Sequence, residues 1–317
     1  MSRYLELPTG ITRIDVEYCR PGFTSAWLVR EGNQAVFVET GPLPAVGILL
    51  GALTRHGMAP EAVQAVIVTH VHLDHAGGAG ALLRHLPNAC LLVHPRGLQH
   101  ITDPSRLVAG AKVVYGEERF QTILGGAMPV DPSRIHCPTD GEVFSLCGRS
   151  LRFLDTPGHS LNHLCLLDEQ THGLFTGDAF GLSYREFDGG IRPLFLPATT
   201  PTQFDVGQMR ATCRRLADLQ PKWLYLTHFG PLPFVTAMGD DLDAQLEKYQ
   251  QLVMETNEKN RLGDLTSALA DMTKNQMMAL QIPKAAMDQF DLLQMDLELN
   301  AQGLTLWHDR CHRRVDS

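Results

Sequence analysis

The sequence predicts an α/β fold in which strands and helices alternate and a helical segment follows. A short apolar, β-branched run at residues 62–69 is typical of a buried strand, and residues 163–167 carry a further strand signal. Polar residues next to glycines stand where several of these runs end. After Pro233 the strand-type runs stop and the helical period continues to near the end. Together these observations indicate a layered sheet structure that carries a site at its strand ends.

The individual elements follow from turn and capping signals. Glu31-Gly32-Asn33 is a turn-forming sequence between two strands of an N-terminal meander. Gly57 ends the first helix. We predict strands at residues 11–18, 26–30, 35–39, 62–69, 89–93, 151–154, 163–167, 173–176 and 223–227. We predict helices at residues 44–56, 203–219, 241–255, 262–274 and 284–307. One face of the last helix carries Met287, Leu293, Leu297, Asn300 and Leu304.

This pattern predicts a main domain over residues 1–232 and a helical C-terminal region over residues 233–317. Proline and glycine interrupt residues 101–140 repeatedly, so we predict short helices there rather than one long element. We interpret this insertion as a lid over a site, with a plain connecting excursion as the alternative.

Composition excludes several classes of function. The formal charge is −8 with no block of Lys or Arg, so we expect neither a nucleic-acid partner nor attraction to an anionic membrane. No run approaches the ~20 apolar residues of a membrane span, and residues 1–8 do not resemble a signal peptide. Seven scattered cysteines without a C-x-x-C motif favour reduced thiols, which predicts a cytoplasmic location.

The densest cluster of polar side chains is His70-Val71-His72-Leu73-Asp74-His75. It follows the predicted strand at residues 62–69, where side chains two positions apart point the same way. Three imidazoles and a carboxylate in six residues are a ligand set for a divalent transition metal. A solvated turn rich in histidine is the alternative. Further polar residues after other strands, namely His159, Asp178 and His228, favour the metal site.

These segments resemble the signature motifs of the metallo-β-lactamase superfamily. They include Thr156-Pro157-Gly158-His159, Gly177-Asp178 and the acidic motif Glu39-Thr40-Gly41, where the family usually has Asp. The resemblance covers residues 10–232. It implies an αββα sandwich with two divalent metal ions at one edge of two facing sheets. It also implies the ligands: His70, His72 and His159 on one metal, Asp74, His75 and His228 on the other, and Asp178 as the bridge.

Such a pair of metals implies hydrolysis by a metal-bridging hydroxide. Asp74 is the predicted catalytic residue, because a carboxylate beside that hydroxide can orient it and accept its proton. Zinc is the metal that we expect, while iron and manganese also accept His and Asp ligands. His163 is predicted to steer a ligand through a hydrogen bond. Tyr184, Arg185 and Phe187 follow the bridging residue and are our candidates for substrate contact, with an ordinary loop as the alternative.

The substrate that we expect is a small-molecule thioester or other ester. The chain is similar to glyoxalase II-like thioesterases in its first motif and helical tail, and to the quinolone-signal response thioesterase in Gly158-His159-Ser160. A lactonase is an alternative, although such enzymes carry Tyr where Gly181 stands. An iron-dependent persulfide dioxygenase and a non-catalytic metal-binding regulatory protein are the others. A homodimer is compatible with the helical tail.

Overall fold

Alternating apolar side chains organise the strands into two sheets with a common core. The computed structural model describes residues 2–200, 202–256 and 258–315. Within these ranges one sheet has seven strands and the other has six. The first contains β1 (Tyr4–Glu6), β2 (Ile11–Asp15), β3 (Ser25–Glu31), β4 (Gln34–Val38), β5 (Val63–Ile67), β6 (Cys90–Leu92) and β7 (Ile135–His136) in this spatial order. The second contains β8 (Val143–Leu146), β9 (Arg149–Asp155), β10 (Leu164–Asp168), β11 (Gly173–Gly177), β12 (Trp223–Leu226) and β13 (Leu232–Pro233), which are also in sequence order.

The two sheets face each other across a single apolar cluster. Residues two positions apart in each strand point into it, as Trp27 and Val29 do in β3 and Leu164 and Leu166 do in β10. Aromatic rings from both sheets meet at its centre, where the ring centroids of Trp27 and Phe175 are 5.8 Å apart. This arrangement confirms the predicted sandwich.

Part of the first sheet is parallel, and this brings the loops that carry the predicted site residues to one edge of the sheet. β4, β5, β6 and β7 run parallel to one another, whereas β1 to β4 form an antiparallel meander. The turn at Gly32 and Asn33 joins β3 to β4 as predicted. Because the carboxyl ends of parallel strands meet at one edge, the loops after β4 and β5 lie together. Glu39 follows β4 there, and the histidine cluster follows β5.

Eleven α-helices accompany the strands in the described ranges. They are α1 (Val46–Arg55), α2 (Leu73–Ala76), α3 (Ala79–Leu83), α4 (Leu98–Thr102), α5 (Ser105–Tyr115), α6 (Glu117–Ile123), α7 (Val206–Asp218), α8 (Thr236–Glu255), α9 (Arg261–Ala279), α10 (Lys284–Met287) and α11 (Gln294–Val315). In this described part of the chain, no helix combines the length and the apolar character needed to cross a bilayer.

The chain divides into two compact units. The sandwich unit comprises Met1–Asp155, Asn162–Gly177 and Lys222–Pro233, and it contains both sheets with α1 to α6. The helical unit comprises Thr156–Leu161, Asp178–Pro221 and Phe234–Ser317. Within it, α8 packs against α7, α9 and α11. The predicted boundary near residue 233 stays a prediction, and its helical region includes Asn257, Asp316 and Ser317, which lie outside the described residues.

Three sequence predictions need correction. The insertion at residues 101–140 does contain short helices, but its end forms β7 and joins the sheet beside β6. The predicted strand at residues 11–18 ends at Asp15. The predicted helix at residues 284–307 is interrupted, because a 3-10 turn at Phe290–Leu293 separates α10 from α11. Asp288 directly follows α10 and Asp291 lies within the 3-10 turn, and aspartate is a weak helix former.

Candidate metal centre

His70 and His72 lie at the carboxyl end of β5, immediately before α2. Their Nε2 and Nδ1 atoms, respectively, are 2.8 Å apart, so the two-residue spacing brings both rings to one point as predicted. The Thr69 hydroxyl lies 3.1 Å from His70 Nδ1. That hydroxyl fixes one side of the His70 ring, which leaves Nε2 turned toward His72.

Asp74, His75 and His228 form a second group within the sandwich unit. One ligand atom from each lies within 4.8 Å of the other two. Asp74 Oδ2 is 3.6 Å from His75 Nε2 and 3.4 Å from His228 Nε2. Two imidazole nitrogens and a carboxylate oxygen converging in this way are typical ligands for zinc, iron or manganese. Residues 74 and 228 are far apart in sequence, and β12 and β5 bring them together.

In both histidines of this group, the ring nitrogen Nδ1 donates a hydrogen bond to an acceptor. His75 Nδ1 donates to Glu39 Oε1 at 3.0 Å, and His228 Nδ1 donates to the carbonyl oxygen of Phe23 at 3.1 Å. A hydrogen bond at Nδ1 fixes the tautomer that keeps the Nε2 lone pair for a metal. The orientation of both rings therefore suits metal binding through Nε2.

Glu39 organises this side of the site from a fully buried position. Besides His75, its carboxylate accepts hydrogen bonds from the Thr69 hydroxyl at 2.5 Å, the Thr69 backbone N–H at 3.3 Å and the Thr227 hydroxyl at 3.3 Å. The longer Glu side chain thus occupies the place where the family usually has Asp, and it still reaches the histidine. Glu39 is a positioning residue for His75.

Replacing Glu39 with Gln is expected to weaken metal binding by about 10- to 100-fold, since such outer hydrogen bonds set ligand orientation and basicity. The affinity is measured by competition with a chromophoric chelator. Glu61→Gln is the control, because Glu61 is exposed and lies in a short turn before β5. Equal affinities for Glu39→Gln and the wild type would show that Glu39 does not act through His75.

His159 and Asp178 lie in the helical unit. His159 Nδ1 donates to the carbonyl oxygen of Ala198 at 2.9 Å, while its Nε2 is 3.5 Å from Asp178 Oδ2. His159 is therefore held in the same way as His75 and His228, with Nδ1 donating to an acceptor and Nε2 beside a carboxylate. Gly158, which precedes His159, allows the chain to pass close to α7, because a Cβ at this position would lie 2.4 Å from the backbone of Met209.

The remaining predicted site residues, which are the proposed steering histidine and the three candidates for substrate contact, are buried or partly buried. His163 is fully buried, and its ring stacks on that of His70 with centroids 5.0 Å apart. Tyr184 is buried and its hydroxyl donates to Asp296 Oδ1 at 3.0 Å, while Phe187 is fully buried. Burial lowers the pKa of Arg185, whose guanidinium donates to Ser183. Substrate contact by these three residues, and hydrogen-bond steering by His163, stay predictions.

The sequence did not indicate the carbonyl oxygens of Phe23 and Ala198 as parts of the site. Any residue type presents the same carbonyl, so no sequence signal could have found them. Thr227 was visible beside His228, but its bond to Glu39 depends on how the strands pair.

Comparison with known proteins decides the family. The family model described as metallo-beta-lactamase superfamily matches residues 19–228, which is more than half of the chain. The chain belongs to the metallo-β-lactamase superfamily. Among solved structures of this superfamily, the fold resembles an archaeal protein from Sulfolobus tokodaii, with a TM-score of 0.65, 21% identity and coverage of 94% of this chain and 99% of that one. The fold is the metallo-β-lactamase fold with C-terminal helices, as predicted.

Several superfamily relatives carry thioesterase names. An acyl-coenzyme A thioesterase of Bos taurus, MBLAC2, is 30% identical over 211 residues, covering 62% of this chain and 68% of that protein. An atrochrysone carboxyl ACP thioesterase of Pseudocercospora fijiensis is 24% identical over 254 residues, covering 78% of this chain and 60% of that protein. A lactamase-like protein, notP, of an Aspergillus species is 30% identical over 158 residues, 49% of this chain and 38% of its own length. The chain thus spans less than two thirds of these last two relatives.

Proposed function

We propose that this protein is a dinuclear metal-dependent hydrolase that cleaves an acyl thioester. The observation that carries the proposal is the group of Asp74, His75 and His228, whose ligand atoms converge while their outer hydrogen bonds keep Nε2 available. Relatives named as thioesterases of acyl carrier protein and of acyl-coenzyme A support the thioester as the substrate class.

Seven side chains are the proposed ligands. In the partition that the superfamily resemblance implies, Asp74, His75 and His228 would hold one metal, and His70, His72 and His159 would hold the other. Asp178 would be a ligand shared by the two. The proposal is supported within each unit by the donor chemistry: the histidines in question present nitrogen atoms beside carboxylates or other imidazoles. Zinc is the first candidate, with iron and manganese as alternatives.

Bound metal ions would supply a water of lowered pKa and polarise the carbonyl group of the substrate. Asp74 would orient that water through its carboxylate and accept its proton, because its side chain is 19% exposed and stands beside two Nε2 atoms. Through their hydrogen bonds to Nδ1, Glu39 and the Phe23 carbonyl would keep the rings of His75 and His228 in a fixed orientation during turnover. No protein nucleophile is needed in this scheme, so neither Ser nor Cys takes part.

The leaving group is proposed to be a thiol, and the products a carboxylic acid and that thiol. Water contributes its oxygen to the acid and a proton to the thiolate, so the reaction needs no oxidant. The cytoplasm is the proposed location, since each of the seven cysteines is a free thiol in this structure.

Removal of the metals is expected to abolish turnover. The protein is treated with a strong chelator, desalted, and assayed with acyl-coenzyme A and acyl-pantetheine thioesters by colorimetric detection of the released thiol. Activity should fall to the uncatalysed rate and return when zinc, iron or manganese is added, in proportion to the metal bound.

Turnover that survives complete removal of metal would contradict the proposal. Oxygen uptake with glutathione persulfide, without thiol release from thioesters, would instead identify the dioxygenase. His94→Ala is a suitable control variant. His94 is a partly buried histidine whose Nε2 lies 3.2 Å from Asp155 Oδ1, outside the proposed ligand set.

A further inference from the structure

Two histidines near the end of α11 stand outside the proposed metal centre. His308 and His312 are four residues apart, so they lie on the same face of the helix, one turn from each other. Their rings stack, with centroids 3.9 Å apart and planes inclined by 27°. Histidines at this spacing on a helix are an arrangement in which two imidazoles bind one zinc ion. The pair therefore has the spacing of a metal site, and neither member is among the seven proposed ligands.

The helix turn that carries this pair is held in place within the helical unit. The guanidinium group of Arg310 donates to the backbone carbonyl oxygens of Thr202 and Phe204. Arg261 of α9 contacts Asp309, with 3.1 Å between Nη1 and Oδ1. A site on a fixed backbone has less freedom to lose when a ligand binds. The two histidines are therefore presented by a helix end that is already ordered.

The tautomer of each ring follows from the group that its Nδ1 atom faces. His312 Nδ1 donates to the backbone carbonyl oxygen of His308 at 3.0 Å. His308 Nδ1 is buried and faces Asp309 Oδ1 at 3.5 Å. An acceptor at Nδ1 favours the tautomer that keeps the lone pair on Nε2, as in His75 and His228 of the proposed metal centre. In both rings of the pair, Nε2 is therefore the nitrogen suited to a metal.

Both Nε2 atoms are available for an ion. In the described ranges, the ring contacts of His308 with Asp309 and of His312 with the backbone use Nδ1, and neither ring engages Nε2 in a hydrogen bond or ion pair. His312 is exposed, and the enclosed nitrogen of His308 is Nδ1. Because a metal ion lies ~2.1 Å from an imidazole nitrogen, one ion can join two such nitrogens up to ~4 Å apart. The 3.9 Å between the ring centroids is compatible with that span.

We propose that His308 and His312 form a further metal site, in which one divalent ion of the nickel, copper or zinc class binds both Nε2 atoms. Water completes the coordination of the ion. Imidazole nitrogen is a preferred ligand of all three metals. The ion links two successive turns of α11, and it stabilises the helix end that Arg310 attaches to Thr202 and Phe204. The site takes no part in the proposed hydrolysis, so the inference goes beyond the proposed function.

Nickel is the probe for this site, because the free cysteines would react with Cu²⁺. Zinc-loaded protein without a histidine tag is equilibrated with Ni²⁺ by dialysis at neutral pH, and both metals are then quantified. We expect the wild type to bind one equivalent of nickel while it retains its zinc. The affinity of His312→Gln for nickel should fall by more than about tenfold, because loss of an outer hydrogen bond to a ligand already costs about that much.

His85→Gln is the matched control, because His85 is an exposed histidine with no second histidine within four residues. It should bind nickel like the wild type. Thermal unfolding gives an independent readout. Nickel should raise the unfolding midpoint of the zinc-loaded wild type and of His85→Gln but not that of His312→Gln, since an ion that binds only the folded chain stabilises it.

Equal nickel binding by the wild type and His312→Gln would overturn the inference, as would nickel uptake that only replaces zinc. His312 is exposed, so its replacement should leave the fold intact, and circular dichroism of His312→Gln checks this before the titration. None of these measurements uses a thioester. Their result is therefore separate from the outcome for the proposed hydrolysis.

Discussion

Replacing Asp74 with Asn is expected to lower kcat/KM for the thioester by about 10³-fold, the middle of the range for loss of a positioned general base. Asn keeps the shape of the side chain but removes its charge and its ability to accept a proton. It also weakens metal binding by the group of Asp74, His75 and His228. In this group Asp74 Oδ2 lies 3.6 Å from His75 Nε2 and 3.4 Å from His228 Nε2. The measurement is steady-state kinetics together with metal analysis of the same sample.

Asp155→Asn is the matched control for this variant. Asp155 also places a carboxylate oxygen beside a histidine, at 3.2 Å from His94 Nε2, but it is not a proposed ligand. Its activity should stay close to that of the wild type. An Asp74→Asn protein that retains its metal and more than a tenth of wild-type kcat/KM would show that Asp74 neither orients the water nor takes its proton.

Replacing Asp168 with Asn is expected to lower the free energy of unfolding by about 3–5 kcal/mol, because it removes the buried counter-charge of a buried guanidinium and leaves only the partly exposed Glu31, whose carboxylate is 3.6 Å from Arg149 Nη1. Arg149 and Asp168 have fully buried side chains on the neighbouring strands β9 and β10. They form a bidentate salt bridge, in which Arg149 Nε donates to Asp168 Oδ1 at 3.0 Å and Nη2 donates to Oδ2 at 2.6 Å. Urea unfolding followed by circular dichroism measures the loss.

A second ion pair on the same two strands supplies the comparison. Arg152 of β9 contacts Glu169, which directly follows β10, but these side chains are 39% and 37% exposed. Glu169→Gln should cost less than about 1 kcal/mol, since solvent screens exposed pairs. Similar losses for the two variants would contradict the view that burial, rather than pairing itself, makes Asp168 important.

The strands and the candidate ligands could be predicted because they depend on local pattern, whereas the sandwich was predicted from the resemblance to the superfamily. Alternation in the N-terminal meander identified β3 and β4, and short strand-type runs identified β5, β10 and β11. Polar residues directly after such runs identified His70 and Asp178 as candidates. The two-residue spacing of His70 and His72 predicted their approach, and the distance of 2.8 Å confirms it. Strand periodicity alone supplies this information.

Other features depend on contacts that no local pattern encodes. Tyr18 looked like the end of a strand, but the strand ends at Asp15 and Tyr18 is buried in the connection that follows. The short strand β7 has two residues, too few for an alternating pattern, and it forms because β6 offers a free edge. The carbonyl oxygen of Ala198 carries no sequence signature. Each of these misses concerns a tertiary contact rather than a propensity.

The interleaving of the two units limits how this protein can be cut or recombined. The chain passes between them after residues 155, 161, 177, 221 and 233, so neither unit is one continuous stretch. A fragment that ends at Pro233 keeps both sheets but retains only two of the three stretches of the helical unit. Exchange of the C-terminal helices between homologues must therefore carry residues 156–161 and 178–221 along. Crossover points for chimeric proteins are confined to loops outside those segments, and His159 and Asp178 would be inherited together with the helices.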